Sequence, residues 1–211
     1  PASVSAGFEG AAQAFQSLCA APDPRPWLAD LHAAWSELPG PEQVVSLRYL
    51  PRGRPLIVMS NHSSLYDIPL LFVALPGSMR MLTKKELFRV PIWGRGLAAG
   101  EVVSIDRHDH AQALRDLDAA RDKMTSGISL WLAPEGTRSR DGNLGEFKKG
   151  GVMLAIQTGA TIVPVGIRGA RDILPPKTFF DVRLGCSPEI HIGAPIDARA
   201  YSVDRRDELL A

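Results

Sequence analysis

The chain has 211 residues, 45% apolar and 22% charged, with 24 basic against 23 acidic residues and a net charge of +1. That composition suits one folded domain with a substantial core, and it excludes wholesale disorder and a nucleic-acid binder held by bulk charge. Two distant cysteines, Cys19 and Cys186, and five histidines without HxxxH or HExxH spacing give neither a disulfide framework nor a metal-type pattern, so no metal is expected.

In chain order, Phe8, Ala12, Phe15 and Cys19 recur at helical spacing. Pro22, Pro24 and Pro26 break that helix, and a second runs from Trp27 until Pro39-Gly40-Pro41 stops it. Residues 1–41 therefore read as a helical pair, and 42–211 as the main domain. The aromatic residues of the pair, Phe8, Phe15, Trp27 and Trp35, suit either a membrane-surface anchor or packing against the core.

Beyond Pro41 the pattern changes to short apolar runs separated by turn residues. Segments 44–49, 56–60, 80–83, 102–105, 128–133 and 161–167 read as strands, with 182–185 and 189–193 as a closing pair. Helices are expected over 68–75, with Pro69 tolerated in the first turn, over 110–126 and 150–158, and from Asp204 onward. Strands alternating with helices predict an α/β fold: a mixed, largely parallel central sheet flanked by helices. No run reaches the roughly 18 to 20 apolar residues of a membrane-spanning helix, and no signal-peptide pattern is present.

Four segments carry polar residues suited to chemistry. In Asn61-His62-Ser63-Ser64-Leu65-Tyr66-Asp67 an apolar strand runs into a helix. Across such a turn a carboxylate can accept the histidine N–H and leave the other ring nitrogen as a general base. The plainer reading is a packed histidine beside a helix-capping aspartate, and spacing alone does not choose. Pro134-Glu135-Gly136-Thr137-Arg138-Ser139-Arg140 follows a buried strand, and its arginine forks suit a phosphate, as does Lys84. Its plain alternative is a surface turn with an internal Glu–Arg pair. Ile105-Asp106-Arg107 is a strand end whose Arg107 is either a further anion contact or one half of an ion pair.

In this order the segments resemble the lysophospholipid acyltransferase superfamily, which includes the 1-acylglycerol-3-phosphate and glycerol-3-phosphate O-acyltransferases. NHxxxxD matches Asn61, His62 and Asp67; the Ile-Asp-Arg strand end matches Ile105, Asp106 and Arg107; PEGTRS matches Pro134 to Ser139; and VPV matches Val163, Pro164 and Val165. A KxEL element is present from Lys84, followed by Pro91 and Gly94, so that the likeness covers residues 55–169. Ala133 stands where the family often has an aromatic residue.

The resemblance implies that His62 is the base and Asp67 its orienting partner in acyl transfer from acyl-CoA or acyl-carrier protein, with no cofactor. Arg138, Lys84, Arg107 and Arg140 would grip the acceptor's phosphate, and Glu135, Gly136 and Thr137 would shape the glycerol site. Asn61, Asp106, Pro134, Ser139 and Pro164 would support the motifs. The expected acceptor is 1-acylglycerol-3-phosphate, with glycerol-3-phosphate, another lysophospholipid or a lipid with a free hydroxyl as alternatives. The resemblance also implies a peripheral protein on the cytoplasmic face of the cell membrane, with no nucleic-acid partner. Two other classes compete. A serine hydrolase lacks its GxSxG elbow here, and the intact His62/Asp67 pair argues against a silent lipid-binding module.

Overall fold

A computed structural model of the chain describes residues 43–45 and 49–210, apart from 76, 92, 107–109, 177, 179, 180 and 184. The expected helical pair 1–41 and Arg107 lie outside the described residues.

The centre of the fold is β2 (Leu56–Ser60), a short apolar strand with parallel partners on both sides: β5 (Ser129–Leu132) and β6 (Thr161–Arg168). Outward from β5 come β3 (Met79–Lys84) and β4 (Val103–Ile105), both parallel. On the other flank β7 (Glu189–Ile192) runs antiparallel to β6 and parallel to β1 (Gln43–Val45). A short β8 (Ile196–Asp197) also pairs with β6. The sheet order is β1-β7-β6-β2-β5-β3-β4, mixed and mostly parallel. Residues 182, 183 and 185 form no strand, contrary to the expected closing pair. Glu189–Ile192 closes the sheet against β6 and β1 instead.

Helices cover both faces, as parallel strands buried on both sides require. They are α1 (Asp67–Ala74), α2 (Trp93–Ala99), α3 (His110–Thr125), α4 (Lys149–Thr158), α5 (Ala170–Ile173) and α6 (Arg206–Leu210). Side-chain alternation along the central strands sorts the core into two layers. Val58, Trp131, Val163 and Val165 join Leu70, Leu71 and Ile173 on one side. Ile57, Leu130, Leu132 and Ile162 join Ala120, Met124 and Leu154 on the other.

Pro164 interrupts β6 without breaking it. Its carbonyl accepts from Gly193 N at 2.8 Å, so the N–H that proline lacks would face the same side. There the ladder passes from β8 to β7, and no strand residue asks for that donor.

Gly94 is dictated by a close approach. A Cβ there would lie 1.9 Å from the carbonyl oxygen of Phe88, in the 3-10 turn Lys85–Arg89 that follows Lys84. Backbone cannot yield as a flexible side chain can. Gly94→Ala is therefore expected to cost about 1–3 kcal/mol, seen as a lower urea midpoint at unchanged m-value, and to displace the turn beside Lys84.

Candidate active site

The parallel strands β2, β5, β3 and β4 all end at one edge of the sheet, where open α/β sheets place their ligands. The turn after β2 carries His62, and α1 begins at Asp67. His62 Nδ1 lies 2.7 Å from Asp67 Oδ2, with the imidazole side chain 16% exposed and the carboxylate 0%. The same Oδ2 accepts the backbone N–H groups of Ser63 at 2.8 Å and Ser64 at 2.9 Å. With two N–H groups already on it, that oxygen acts as an acceptor. An Nδ1–H tautomer donates to that oxygen and leaves the Nε2 lone pair free.

No side chain caps α1 at its N-cap, Tyr66. The carboxylate of Asp67 caps the turn that precedes it. Ser64 Oγ donates to Leu174 O at 2.8 Å and accepts from Tyr66 N at 3.0 Å, so it locks the turn against the end of α5. Tyr66 is buried beside it, and burial pushes its phenol far above the ordinary range.

Three contacts hold the backbone of His62 in place. Its N–H donates to Glu135 Oε1 at 3.1 Å, and its carbonyl accepts from Ser139 N at 2.7 Å. Glu135 is buried, and its other oxygen accepts from Gly145 N at 2.8 Å. The third contact is Asn61, whose side-chain amide pairs with Ile167 in both directions: Nδ2 to Ile167 O at 2.9 Å and Ile167 N to Oδ1 at 2.7 Å. The amide imitates one further residue of β2. The ladder to β6 stays satisfied while the main chain turns away to present His62. Trp131 of β5 meets the imidazole edge-on at 5.8 Å and 89°, and its Nε1 donates to Ser60 Oγ at 2.9 Å.

Two clefts meet at His62. The smaller, about 400 Å3, holds Lys84 and Arg138 among apolar walls that include Ile68, Met81 and Trp131. Ala133, Gly136 and Thr137 also line it, so the residue that departs from the family pattern faces this cleft. Lys84 and Arg138 have no ion-pair partner among the described residues, which suits an anion. The larger cleft, about 760 Å3, runs past Asn61, Glu135 and Ser139 over Pro164 and Gly166 to Arg168 and His191.

Other expected residues fall elsewhere. Arg140 is exposed, belongs to neither cleft wall, and its carbonyl accepts from Arg171 Nη2 at 3.1 Å. Asp106 pairs with Lys85 at 3.4 Å and donates its N–H to Asp116 at 2.8 Å. Pro134 accepts from Lys148 N at 2.7 Å, which ties the motif to the start of α4. The sequence singled out neither Trp131 nor Gly145 for a role. Trp131 sits two residues before Ala133, just past the end of β5, and that period-two placement was the available signal. No group of three His, Cys, Asp or Glu side chains is placed to hold a metal among the described residues.

Fold and site together define an α/β protein with a histidine–aspartate pair set between two clefts, one of them cationic. The family model described as Acyltransferase matches residues 43–168, more than half of the sequence, and the chain belongs to that family. It is 36% identical over 121 residues to the chloroplastic 1-acyl-sn-glycerol-3-phosphate acyltransferase LPAT1 of Arabidopsis thaliana, over 57% of this chain and 34% of that protein. It is 30% identical over 131 residues to human 1-acyl-sn-glycerol-3-phosphate acyltransferase alpha, over 62% of this chain and 46% of that protein. The chain thus spans a third to a half of the length of these relatives. The crystal structure of the 1-acyl-sn-glycerophosphate acyltransferase PlsC from Thermotoga maritima shares the fold, with a TM-score of 0.68 at 24% identity over 98% of this chain and 91% of that one.

Proposed function

We propose that the chain moves a fatty acyl group from an acyl thioester to the free hydroxyl of 1-acylglycerol-3-phosphate, making phosphatidic acid. The observation that carries this reading is the 2.7 Å contact of His62 Nδ1 with a fully buried Asp67 carboxylate, beside a cleft with two cations that have no ion-pair partner among the described residues. His62 Nε2 takes the proton of the acceptor hydroxyl as its oxygen attacks the thioester carbonyl carbon. The C–S bond breaks, and the imidazolium returns the proton to the departing thiolate. Asp67 holds the tautomer and stabilises the imidazolium between those steps. Thioester activation supplies the driving force, so the reaction calls for no cofactor.

Lys84 and Arg138 would hold the acceptor's phosphate, with its acyl chain along Ile68, Met81 and Leu87. Relatives named for the same acceptor support that choice. Such an acceptor resides in a bilayer, so the protein would work as a peripheral protein at the cytoplasmic face of the cell membrane. No helix among the described residues is long and apolar enough to cross one.

The test is acyl transfer by purified protein to a panel of acceptors: 1-acylglycerol-3-phosphate, glycerol-3-phosphate, lysophosphatidylcholine and monoacylglycerol. Preference for the first supports the reading, and indifference to removal of the phosphate overturns it. Lys84→Ala and Arg138→Ala are each expected to raise the acceptor KM about 10- to 100-fold, as loss of a charged hydrogen bond implies. Neither should alter transfer to monoacylglycerol, which has no phosphate.

A further inference from the structure

We propose that the larger cleft seats the pantetheine arm of the acyl donor, with Arg168 at its outer rim receiving the arm's phosphate. This rests on the acyl-transfer reading above and assigns the second substrate's place in that site. His62 lines both clefts, and the cations Lys84 and Arg138 lie in the smaller one. Hydroxyl and thioester must converge on the base from different directions, so a donor that leaves the cationic cleft to the acceptor enters through the other.

The lining of that cleft suits an extended arm. At about 760 Å3 it falls within the range of small-molecule sites, and its floor follows β6 through Ile162, Pro164 and Gly166. Gly166 is exposed, and a Cβ there would stand 3.8 Å from His191 Cβ, an ordinary contact. The missing side chain thus leaves an open trough without straining the strand. Leu144, 63% exposed, and Phe147 form the opposite lip. Glu135 ties that lip to the base, since its carboxylate accepts from both Gly145 N and His62 N.

Arg168 ends the trough. It lies three residues past Val165, the register partner of Ser60, which puts its Cα roughly 10 Å farther along the sheet. Its side chain is 81% exposed, and its contact with Glu189 is 3.9 Å, beyond hydrogen-bond reach. Glu189 is engaged instead by His191 at 2.9 Å. The guanidinium is therefore held loosely and can fork onto a phosphate. Coenzyme A and carrier proteins share the phosphopantetheine that such a trough and rim would take.

Two variants and three donors test this. Gly166→Phe, which fills the trough, is expected to raise the KM for palmitoyl-CoA at least tenfold and leave the acceptor KM within twofold. Arg168→Glu is expected to raise the KM for palmitoyl-CoA and for palmitoyl-carrier protein about five- to tenfold. It should not change use of the palmitoyl thioester of N-acetylcysteamine, which has no phosphate. A response to one donor alone identifies the source of the arm. An acceptor KM that moves in place of the donor KM, or an Arg168→Glu effect equal on the phosphate-free thioester, overturns the proposal. Should Gly166→Phe fail to fold, the Arg168→Glu comparison decides alone. Absence of acyl transfer in the wild type would sink the acyl-transfer reading but not the cleft assignment. Calorimetric binding of the thioether S-hexadecyl-CoA then decides: weaker binding to the variants supports the cleft, and equal binding removes it.

Discussion

Replacing His62 by alanine is expected to lower kcat by about 10²- to 10⁴-fold while leaving the chain folded. The ring is partly exposed, its backbone contacts to Glu135 and Ser139 survive the change, and its main packing loss is the edge contact with Trp131. Asp67 is different because its side chain is fully buried. Asp67→Ala strips the acceptor from two backbone N–H groups as well as from the imidazole, so it should also cost stability, about 1–3 kcal/mol for each amide left unsatisfied. Asp67→Asn keeps an acceptor oxygen but presents the wrong partner to Nδ1, and should lose activity with a smaller loss of stability. Because the two side chains act as a unit, the double variant should be little worse in kcat than His62→Ala alone. Stopped-time assays with circular dichroism on the four proteins check this, and additive losses would mean the pair is not one device.

Glu135→Gln should give the second large effect, a fall in kcat of about 10- to 100-fold with the acceptor KM nearly constant, since sub-ångström misplacement of a base carries losses of that order. A glutamine offers one acceptor oxygen where the site uses two. Its NH2 must then face the N–H of either His62 or Gly145, both of which now donate to the carboxylate at 3.1 and 2.8 Å. Those two bonds predict that the buried carboxylate acts as a positioning residue, and the kinetic split tests that role. If the acceptor KM rises and kcat holds, Glu135 touches the glycerol of the acceptor, the role that the family resemblance implied.

The pattern of the chain anticipated most of the sheet. Strand 56–60 stands where its apolar run placed it, and helix 110–126 ends one residue early, at Thr125. Elements with long or strongly periodic signals survived because burial of one face decides them locally. The expected strand at 182–185 is absent at Val182, Arg183 and Gly185, because alternation over four residues shows no pairing partner. β8 and α5, at two and four residues, carry too little periodicity to be read at all.

For the site the division is similar. The order of motifs named the pair His62 and Asp67, the cations Lys84 and Arg138, and the family. Spacing alone could not tell a helix-capping aspartate from one that reaches the histidine; in the fold the carboxylate accepts from the imidazole and from two N–H groups of the turn before α1. The contacts of Glu135 to His62 and Gly145 were equally hidden, because its partners are backbone amides, and every residue but proline has one.

What the sequence by itself determined is the set of chemical groups and the parallel strands that end beside them. Only the tertiary structure decided how those groups are shared out. Adjacent parallel strands β2 and β5 bring residues 73 apart, His62 and Glu135, into hydrogen-bond contact. The Asn61 amide completes the β6 ladder across a separation of 106 residues. It also took the fold to set Lys84 and Arg138 in one cleft and leave Arg140 outside both. Contacts of that range depend on strand order and register, which arise from packing of the whole sheet and leave no mark on the local pattern of the chain.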